Sequence, residues 1–522
     1  MSTKDLAMTS RRGFLATTGM AGLALACGTA GQAAAATTAP LYDATLTSLA
    51  RHPLPTWWRD GKFGVFVHWG VYSVPAWAPT DWPLSSTAEW YWLLQQLPLT
   101  PYWQHHLETY GPGLSYDDLI PRFGAEHYDP ESWADLFVAA GARYFVLTSK
   151  HHEGFALFPS AVSDRNAAVL GPRRDLVGPL VIAARQRRLK TGLYYSVPEW
   201  FNPAPHLGAT LGRLQDIGRS LGMGTTPADL LGPIENLLAF NELPPRNAYT
   251  QRPVAYTGYR AVDDYGAFER AQLREIIARY HPDQIWADIG GPEDYFQGNR
   301  IIAEYYNQAA FHNPGGVVVN DRFGDLNTHR DYSVVENGGT YQSGTLSGAP
   351  SETVRTMGNS WGYNTNDTLA PAETFIRELV VAVANNSNYV LNIGPRADGT
   401  IPQPMADRLR TIGAWLGING EGIYATRPWT QPDATSSAGA VYFTTRPDTT
   451  LYLTTLSWPG RELRVTAPLP LSTGTRMVLL GSDGKPLPWS RNADGVTITM
   501  PADGDEHAAT SSQYAFTIRI TD

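Results

Sequence analysis

The chain has 522 residues, too many for one ordinary hydrophobic core, so a large domain with a smaller companion is expected. Hydrophobic residues make up 43% and charged residues 17%, which excludes a disordered chain. The formal net charge of -9 gives no electrostatic reason to expect nucleic acid or an anionic membrane as partner.

At the N-terminus, Ser10-Arg11-Arg12-Gly13-Phe14-Leu15 and the modest apolar stretch to Cys27 resemble a twin-arginine export signal. The stretch is too short to span a bilayer. Small residues from Ala33 to Ala36 suit cleavage, which places the signal peptide at 1–36. Ala24-Leu25-Ala26-Cys27 is a weaker lipoprotein match, and release after the alanines is expected ahead of lipidation. Cys27 is the chain's one cysteine, so the mature protein has no internal disulfide. Export of an already folded chain fits that. No later segment is apolar enough to cross a membrane.

From Lys62 onward, short apolar strand-like runs alternate with helix-like stretches such as Ala267 to Tyr280 and Glu373 to Ala384. The way the runs end is the informative feature. Gly64-Val65-Phe66-Val67 stops at His68, and Tyr144-Phe145-Val146-Leu147 leads to Lys150-His151-His152-Glu153. Thr191-Gly192-Leu193 leads to Tyr194-Tyr195-Ser196, and Gln284-Ile285-Trp286-Ala287 to Asp288. Val317-Val318-Val319 leads to Asn320-Asp321-Arg322, Ser333-Val334-Val335 to Glu336, and Tyr389-Val390-Leu391 to Asn392. In a parallel β/α barrel the C-terminal strand ends converge on one face, so this pattern predicts a (β/α)8-like barrel over 37–424 with a polar pocket. Residues 205–259, rich in Gly, Pro and Leu, fit poorly as one crossover and are expected to be an insertion over the strand ends, material for a partial lid. After Tyr424, runs such as Val441-Tyr442-Phe443 and Val496-Thr497-Ile498-Thr499 predict a small antiparallel β-sandwich over 425–522.

Sixteen Trp, 26 Tyr and 17 Phe offer flat faces suited to sugar rings, although most must serve the core. Metal chemistry has little support. Adjacent residues in His151-His152-Glu153 face opposite ways on a strand, and no His-Glu-x-x-His occurs. Phosphate-cradling glycine loops and a serine nucleophile elbow are absent as well.

Six segments, in order, resemble glycoside hydrolase family 29, the α-L-fucosidases. They are Lys62 to Ser73, Thr148 to Phe155, Gly192 to Ser196, Tyr280 to Asp288, Asn359-Ser360-Trp361-Gly362-Tyr363, and Leu391-Asn392-Ile393-Gly394-Pro395. The resemblance implies a retaining exo-α-L-fucosidase that needs no cofactor or metal and acts on fucosylated oligosaccharides or glycoconjugates. Asp288 holds the family's nucleophile position. One departure stands beside it: the family usually has Gly directly after this Asp, and here Ile289 precedes Gly290-Gly291.

The acid/base is expected at Glu336, with Glu352 as the alternative in a hydrogen-bonding role. Glu336 ends an apolar run, whereas Glu352 follows Gly348-Ala349-Pro350-Ser351, which reads as a loop. By resemblance, His68, Glu89, Trp90, His151, His152, Tyr194 and Arg322 line the sugar pocket, and Trp361 faces the ring. Tyr194 and Tyr195 alternate across a strand, so one of them points inward; the motif selects Tyr194. The competing readings are a barrel hydrolase for α-L-galactose, which differs at C6, and a non-catalytic glycan-binding protein.

Overall fold

A computed structural model describes residues 41–82, 87–96, 100–200, 258, 264–337, 348–501 and 513–522. The expected signal peptide and, Gly258 apart, the expected 205–259 insertion lie outside the described residues.

Eight parallel strands form the first sheet: β1 (Phe63–Val67), β2 (Tyr144–Lys150), β3 (Lys190–Ser196), β4 (Gln284–Asp288), β5 (Val318–Val319), β6 (Ser333–Glu336), β7 (Ser351–Arg355) and β8 (Ser387–Ile393). Each pairs with its sequence neighbour, and β8 returns to β1, so the sheet curls into a barrel. The seam between β5 and β6 is made by a single parallel bridge, Asn320 to Tyr332. Asp331 reinforces that seam: its backbone N–H reaches Val319 O at 3.1 Å, and its Oδ2 accepts from Val319 N at 2.9 Å.

Most of these strands are buried on both faces, which is why they read as unbroken apolar runs. Their outer faces pack under helices that include α1 (Pro130–Ala139), α2 (Gly178–Gln186), α3 (Tyr265–Tyr280), α4 (Gly298–His312), α5 (Ala372–Ala384) and α6 (Gln403–Asn419). The inner faces form a separate core of Phe66, Tyr144, Val146, Tyr194, Trp286, Val354 and Val390. The period of two stacks this interior in layers. Gly64 is small for a reason that can be measured. A Cβ there would sit 2.8 Å from the ring of Tyr144, which crosses the barrel to donate to Glu352 Oε2 at 2.8 Å.

Residues 348–350 precede β7 as the expected loop does, but the strand begins at Ser351, the last residue of that loop, and carries Glu352. Its residues are Ser-Glu-Thr-Val-Arg, with no apolar run to announce it. Glu352 sits near its start, level with Val334, whereas Glu336 is level with Val354 two residues further on. At about 3.3 Å per residue, Glu352 lies roughly 6.6 Å deeper in the barrel than Glu336.

The second sheet has eight antiparallel strands: β9 (Arg427–Ser436), β10 (Gly439–Thr445), β11 (Leu451–Thr455), β12 (Glu462–Thr466), β13 (Arg476–Leu479), β14 (Trp489–Asn492), β15 (Gly495–Thr499) and β16 (Phe516–Thr521), in the order 13-16-11-10-9-12-15-14. It folds around its own core, which includes Phe443, Leu453, Leu463, Met477, Ile498 and Ile518. In β12 buried and exposed residues alternate, as expected of a sheet with one wet face. The second sheet docks on the barrel through apolar packing that includes Ala515, Tyr442 and Leu456, and through polar contacts. Arg377 of α5 donates to Leu456 O at 2.9 Å, and the Trp415 indole of α6 donates to Ala515 O at 2.9 Å. Among the described residues, no helix is long and apolar enough to cross a membrane.

Candidate active site

The inward period that stacks the barrel core ends, at or near the C-terminal ends of β1, β2, β3, β4 and β6, in polar side chains. Together with the loops just beyond, they line a cavity. Its lining comprises Phe66, His68, Glu89, Trp90, His151, His152, Tyr194, Trp286, Asp288, Glu336 and Trp361. Every sequence-predicted site residue is in that set except Arg322.

Asp288 ends β4 and has four hydrogen-bonding neighbours. Tyr194 OH donates to its Oδ2 at 2.8 Å, and His152 Nε2 lies 3.3 Å from the same oxygen. Arg322 Nη1 and the Ile289 backbone N–H each donate to Oδ1 at 2.9 Å. Burial alone would raise this carboxyl's pKa, but the His152 contact and the Arg322 charge outweigh it and hold the pKa well below the usual carboxylate range. The group is therefore an ionised carboxylate at neutral pH.

The loop after Asp288 is shaped to keep Arg322 close. Ile289 takes a left-handed φ of 46°, which a β-branched residue adopts only under strain of about 1–3 kcal/mol. Next to it, Gly290 and Gly291 lie against the backbone of the loop after β5. A Cβ on Gly290 would fall 2.4 Å from Gly324 N and 2.7 Å from Arg322 O. From that loop Arg322 reaches over the Trp286 ring, 5.3 Å from its centroid. Its Nη1 also donates to Glu336 Oε1 at 2.5 Å. Burial works against the guanidinium charge, yet Asp288 and Glu336 raise the Arg322 pKa overall. Arg322 is thus wedged between the two carboxylates instead of lining the cavity.

The histidines are held in fixed orientations. Asn392 Nδ2 donates to Trp361 O at 2.6 Å, which turns its Oδ1 toward His68 Nδ1 at 2.7 Å. His68 therefore carries its proton on Nδ1 and offers Nε2 as an acceptor. Burial, followed by repulsion from His151, pushes the His68 pKa down to about 3. His152 Nδ1 faces Ser196 Oγ and, at 3.4 Å, Pro198 O. Glu89 is buried, accepts from Gly362 N at 2.9 Å and from Thr87 Oγ1, and has a pKa raised by burial. Tyr194 lies between these groups, its ring stacked on Trp286 at 5.5 Å. Tyr195 points the other way and donates to Gln272 of α3 at 2.9 Å.

Glu352 is elsewhere. It is fully buried beneath Trp286 and accepts from Tyr144 OH at 2.8 Å and from the Trp286 indole N–H at 2.9 Å. Burial raises its pKa despite those donors. Phe66 and Trp286, which form apolar parts of the cavity wall, were not among the expected site residues; as runs of apolar sequence they look like ordinary core. Asn392 and Ser196, which orient His68 and His152, each stand at the end of a strand, and that position was their sequence signal.

A β/α barrel with paired carboxylates and sugar-sized walls at its C-terminal strand ends is the architecture of a glycoside hydrolase. Comparison with known proteins makes this specific. Residues 29–421 match the family model described as Alpha-L-fucosidase, and residues 431–521 match the Alpha-L-fucosidase C-terminal domain. The chain belongs to the α-L-fucosidase family, glycoside hydrolase family 29. It is 35% identical to tissue alpha-L-fucosidase of Rattus norvegicus over 469 residues, covering 88% of each chain. To the human tissue enzyme it is 34% identical over 492 residues, covering 92% of each. Among solved structures, Thermotoga maritima alpha-fucosidase in complex with fucose is similar with a TM-score of 0.73 and 31% identity, across 92% of this chain and all of that one.

Proposed function

We propose that this enzyme is a retaining exo-α-L-fucosidase in which Asp288 is the nucleophile and Glu336 the acid/base. One observation carries the mechanism. Asp288 Oδ1 and Glu336 Oε1 bond to the same Arg322 nitrogen, at 2.9 and 2.5 Å, so the two oxygens are at most 5.4 Å apart. That upper bound is compatible with the roughly 5–5.5 Å of retaining enzymes and below the roughly 6.5–9.5 Å that leaves room for an attacking water in inverting ones.

In the first step an Asp288 oxygen bonds to the anomeric carbon as the glycosidic C–O bond breaks. Glu336 gives its proton to the departing oxygen. In the second step Glu336 takes a proton from water, the water oxygen bonds to the anomeric carbon, and the Asp288–carbon bond breaks. Two inversions give net retention.

The pocket supports terminal fucose as substrate. Trp286 and Phe66 are packed into the barrel interior beneath it, so a chain cannot thread through. His68, His151, His152 and Glu89 supply hydrogen-bonding partners for hydroxyls, while Trp90 and Trp361 offer faces for the ring and the C6 methyl. The likeness to an enzyme crystallised with fucose supports the same substrate here. We also read residues 1–36 as a twin-arginine leader, 37–424 as the catalytic domain and 425–522 as the β domain. Replacing Arg11 and Arg12 by lysine should leave uncleaved precursor in the cytoplasm.

The central test is hydrolysis of an aryl α-L-fucoside beside the matching α-L-galactoside, with NMR of the first-formed sugar. Faster cleavage of the fucoside with α-L-fucose appearing first is expected. The β-anomer appearing first would overturn retention, and faster cleavage of the galactoside would overturn the substrate.

A further inference from the structure

His151 lines the cavity, and its use there depends on which ring nitrogen carries the proton. The ring itself has little freedom. It is stacked on Tyr194 at 5.7 Å, with Tyr72 at 5.4 Å and His152 at 4.4 Å edge-on. Burial, followed by repulsion from His152, lowers its pKa, so the ring is neutral at pH 7 and has one proton to place. For His68 an amide settles that question. For His151 the group opposite Nδ1 is the Glu153 carboxylate, with Oε2 at 3.4 Å.

Glu153 is 1% exposed. Among the described residues neither of its carboxylate oxygens has a hydrogen-bond partner, and neither has His151 Nδ1. The placement is built in. Arg165 Nε donates to the Glu153 carbonyl at 3.2 Å, and the carboxylate lies against Gly70, where an added Cβ would come within 3.2 Å of Oε1. Leaving a buried carboxyl group without a hydrogen-bond partner is costly. Nδ1 of His151, itself unmatched, is set facing this one at 3.4 Å.

We propose that Glu153 is a positioning residue for the hydrolysis, holding His151 as the Nδ1–H tautomer so that Nε2 accepts from one hydroxyl of the bound sugar. Glu153 does not touch the substrate; it acts through the imidazole. The 3.4 Å separation exceeds the usual 2.7–3.2 Å, as polar contacts of unliganded sites often do before substrate tightens them. The proposal rests on the fucosidase reading for the identity of the sugar.

Two measurements test it. In enzyme labelled with ¹⁵N-histidine, with the His151 signals assigned by their loss in His151→Gln, long-range ¹H–¹⁵N correlations report the tautomer without substrate. Protonated Nδ1 is expected; protonated Nε2 overturns the proposal. Glu153→Gln, whose amide oxygen can still accept from Nδ1–H, should stay near wild type, whereas Glu153→Leu fills similar space without an acceptor. In Glu153→Leu the kcat/KM for an aryl fucoside should fall about tenfold, the scale of one hydrogen bond. That loss should vanish for one of the 2-, 3- and 4-deoxy fucosides, the one lacking the hydroxyl His151 receives. An equal loss with all three, or no loss, overturns the proposal. If wild-type enzyme leaves the aryl fucoside intact, the fucosidase reading fails, while the tautomer measurement still decides the role of Glu153.

Discussion

Asp288 and Glu336 share a hydrogen-bond donor: Nη1 of Arg322 lies 2.9 Å from one carboxylate and 2.5 Å from the other. The same nitrogen that fixes their spacing also occupies the space between them. If the two carboxylates act as proposed, an anomeric carbon enters near that space and Arg322 has to yield Glu336 when substrate binds. Its second anchor, the face of Trp286, remains available to it.

If Asp288 is the nucleophile, Asp288→Gly should fold normally and lose about 10⁴-fold or more in turnover. The vacated space admits a small anion, so azide should restore activity and yield a fucosyl azide of inverted configuration. Wild-type turnover without azide would refute the assignment.

Exhaustive EDTA treatment should leave the rate unchanged. Among the described residues, no group of three or more His, Cys, Asp or Glu side chains is placed to hold a metal. His151 faces Glu153, while His152 faces Asp288. A loss restored by one divalent ion would count against this.

A pH effect on stability should arise behind the barrel wall. Glu269 of α3 is 2% exposed, and burial raises its pKa to about 8, tempered by Lys150 and Arg270. Its folded pKa thus lies above the unfolded value near 4.3. Between those values the unfolded state has lost the proton and the folded state retains it, so this group's contribution to stability declines as pH rises from about 4.5 to about 8, at up to about 1.4 kcal/mol per pH unit. Above that range the decline stops. Thermal melts of wild type and Glu269→Gln across about pH 5 to 8 should show a shallower fall in the variant. Parallel curves would contradict this account.

Much of the barrel was legible because most of the strand-like runs end in a polar residue where the packed interior gives way to the pocket. Asp288, Glu336 and Asn392 stand at such ends. Strand β7 was illegible because its inner residue, Glu352, finds its partners inside the barrel. Tyr144 and Trp286 satisfy it there, and no apolar run is needed. Phe66 and Trp286 carry no sign in the sequence that a core side chain also walls a cavity. The bridging place of Arg322 was hidden for a different reason. Its partners are 34 and 14 residues away, brought to it by the glycine-lined contact between two loops, which spacing alone does not reveal.

The roles of the two glutamates separate by depth and by what each touches. Glu336 lines the cavity with a third of its side chain exposed, so it can reach both a leaving oxygen and incoming water. Glu352 is sealed beneath Trp286. A general acid matters most when the leaving group is poor. Glu336→Gly should therefore slow natural fucosides by about 10²-fold or more, while formation of the intermediate from an activated aryl fucoside suffers much less. Loss of the base would slow its breakdown, and azide should relieve that block, giving a fucosyl azide of retained configuration because Asp288 is intact. Glu352→Ala should instead act on stability. It strands the Tyr144 hydroxyl and the Trp286 indole N–H inside the barrel, at about 1–3 kcal/mol each. Its residual activity should show neither azide rescue nor dependence on the leaving group. Glu352→Gln, which keeps an acceptor facing those donors, should recover most of the melting temperature. If azide rescue with retained configuration appears in the Glu352 variants and not in Glu336→Gly, the acid/base lies at Glu352.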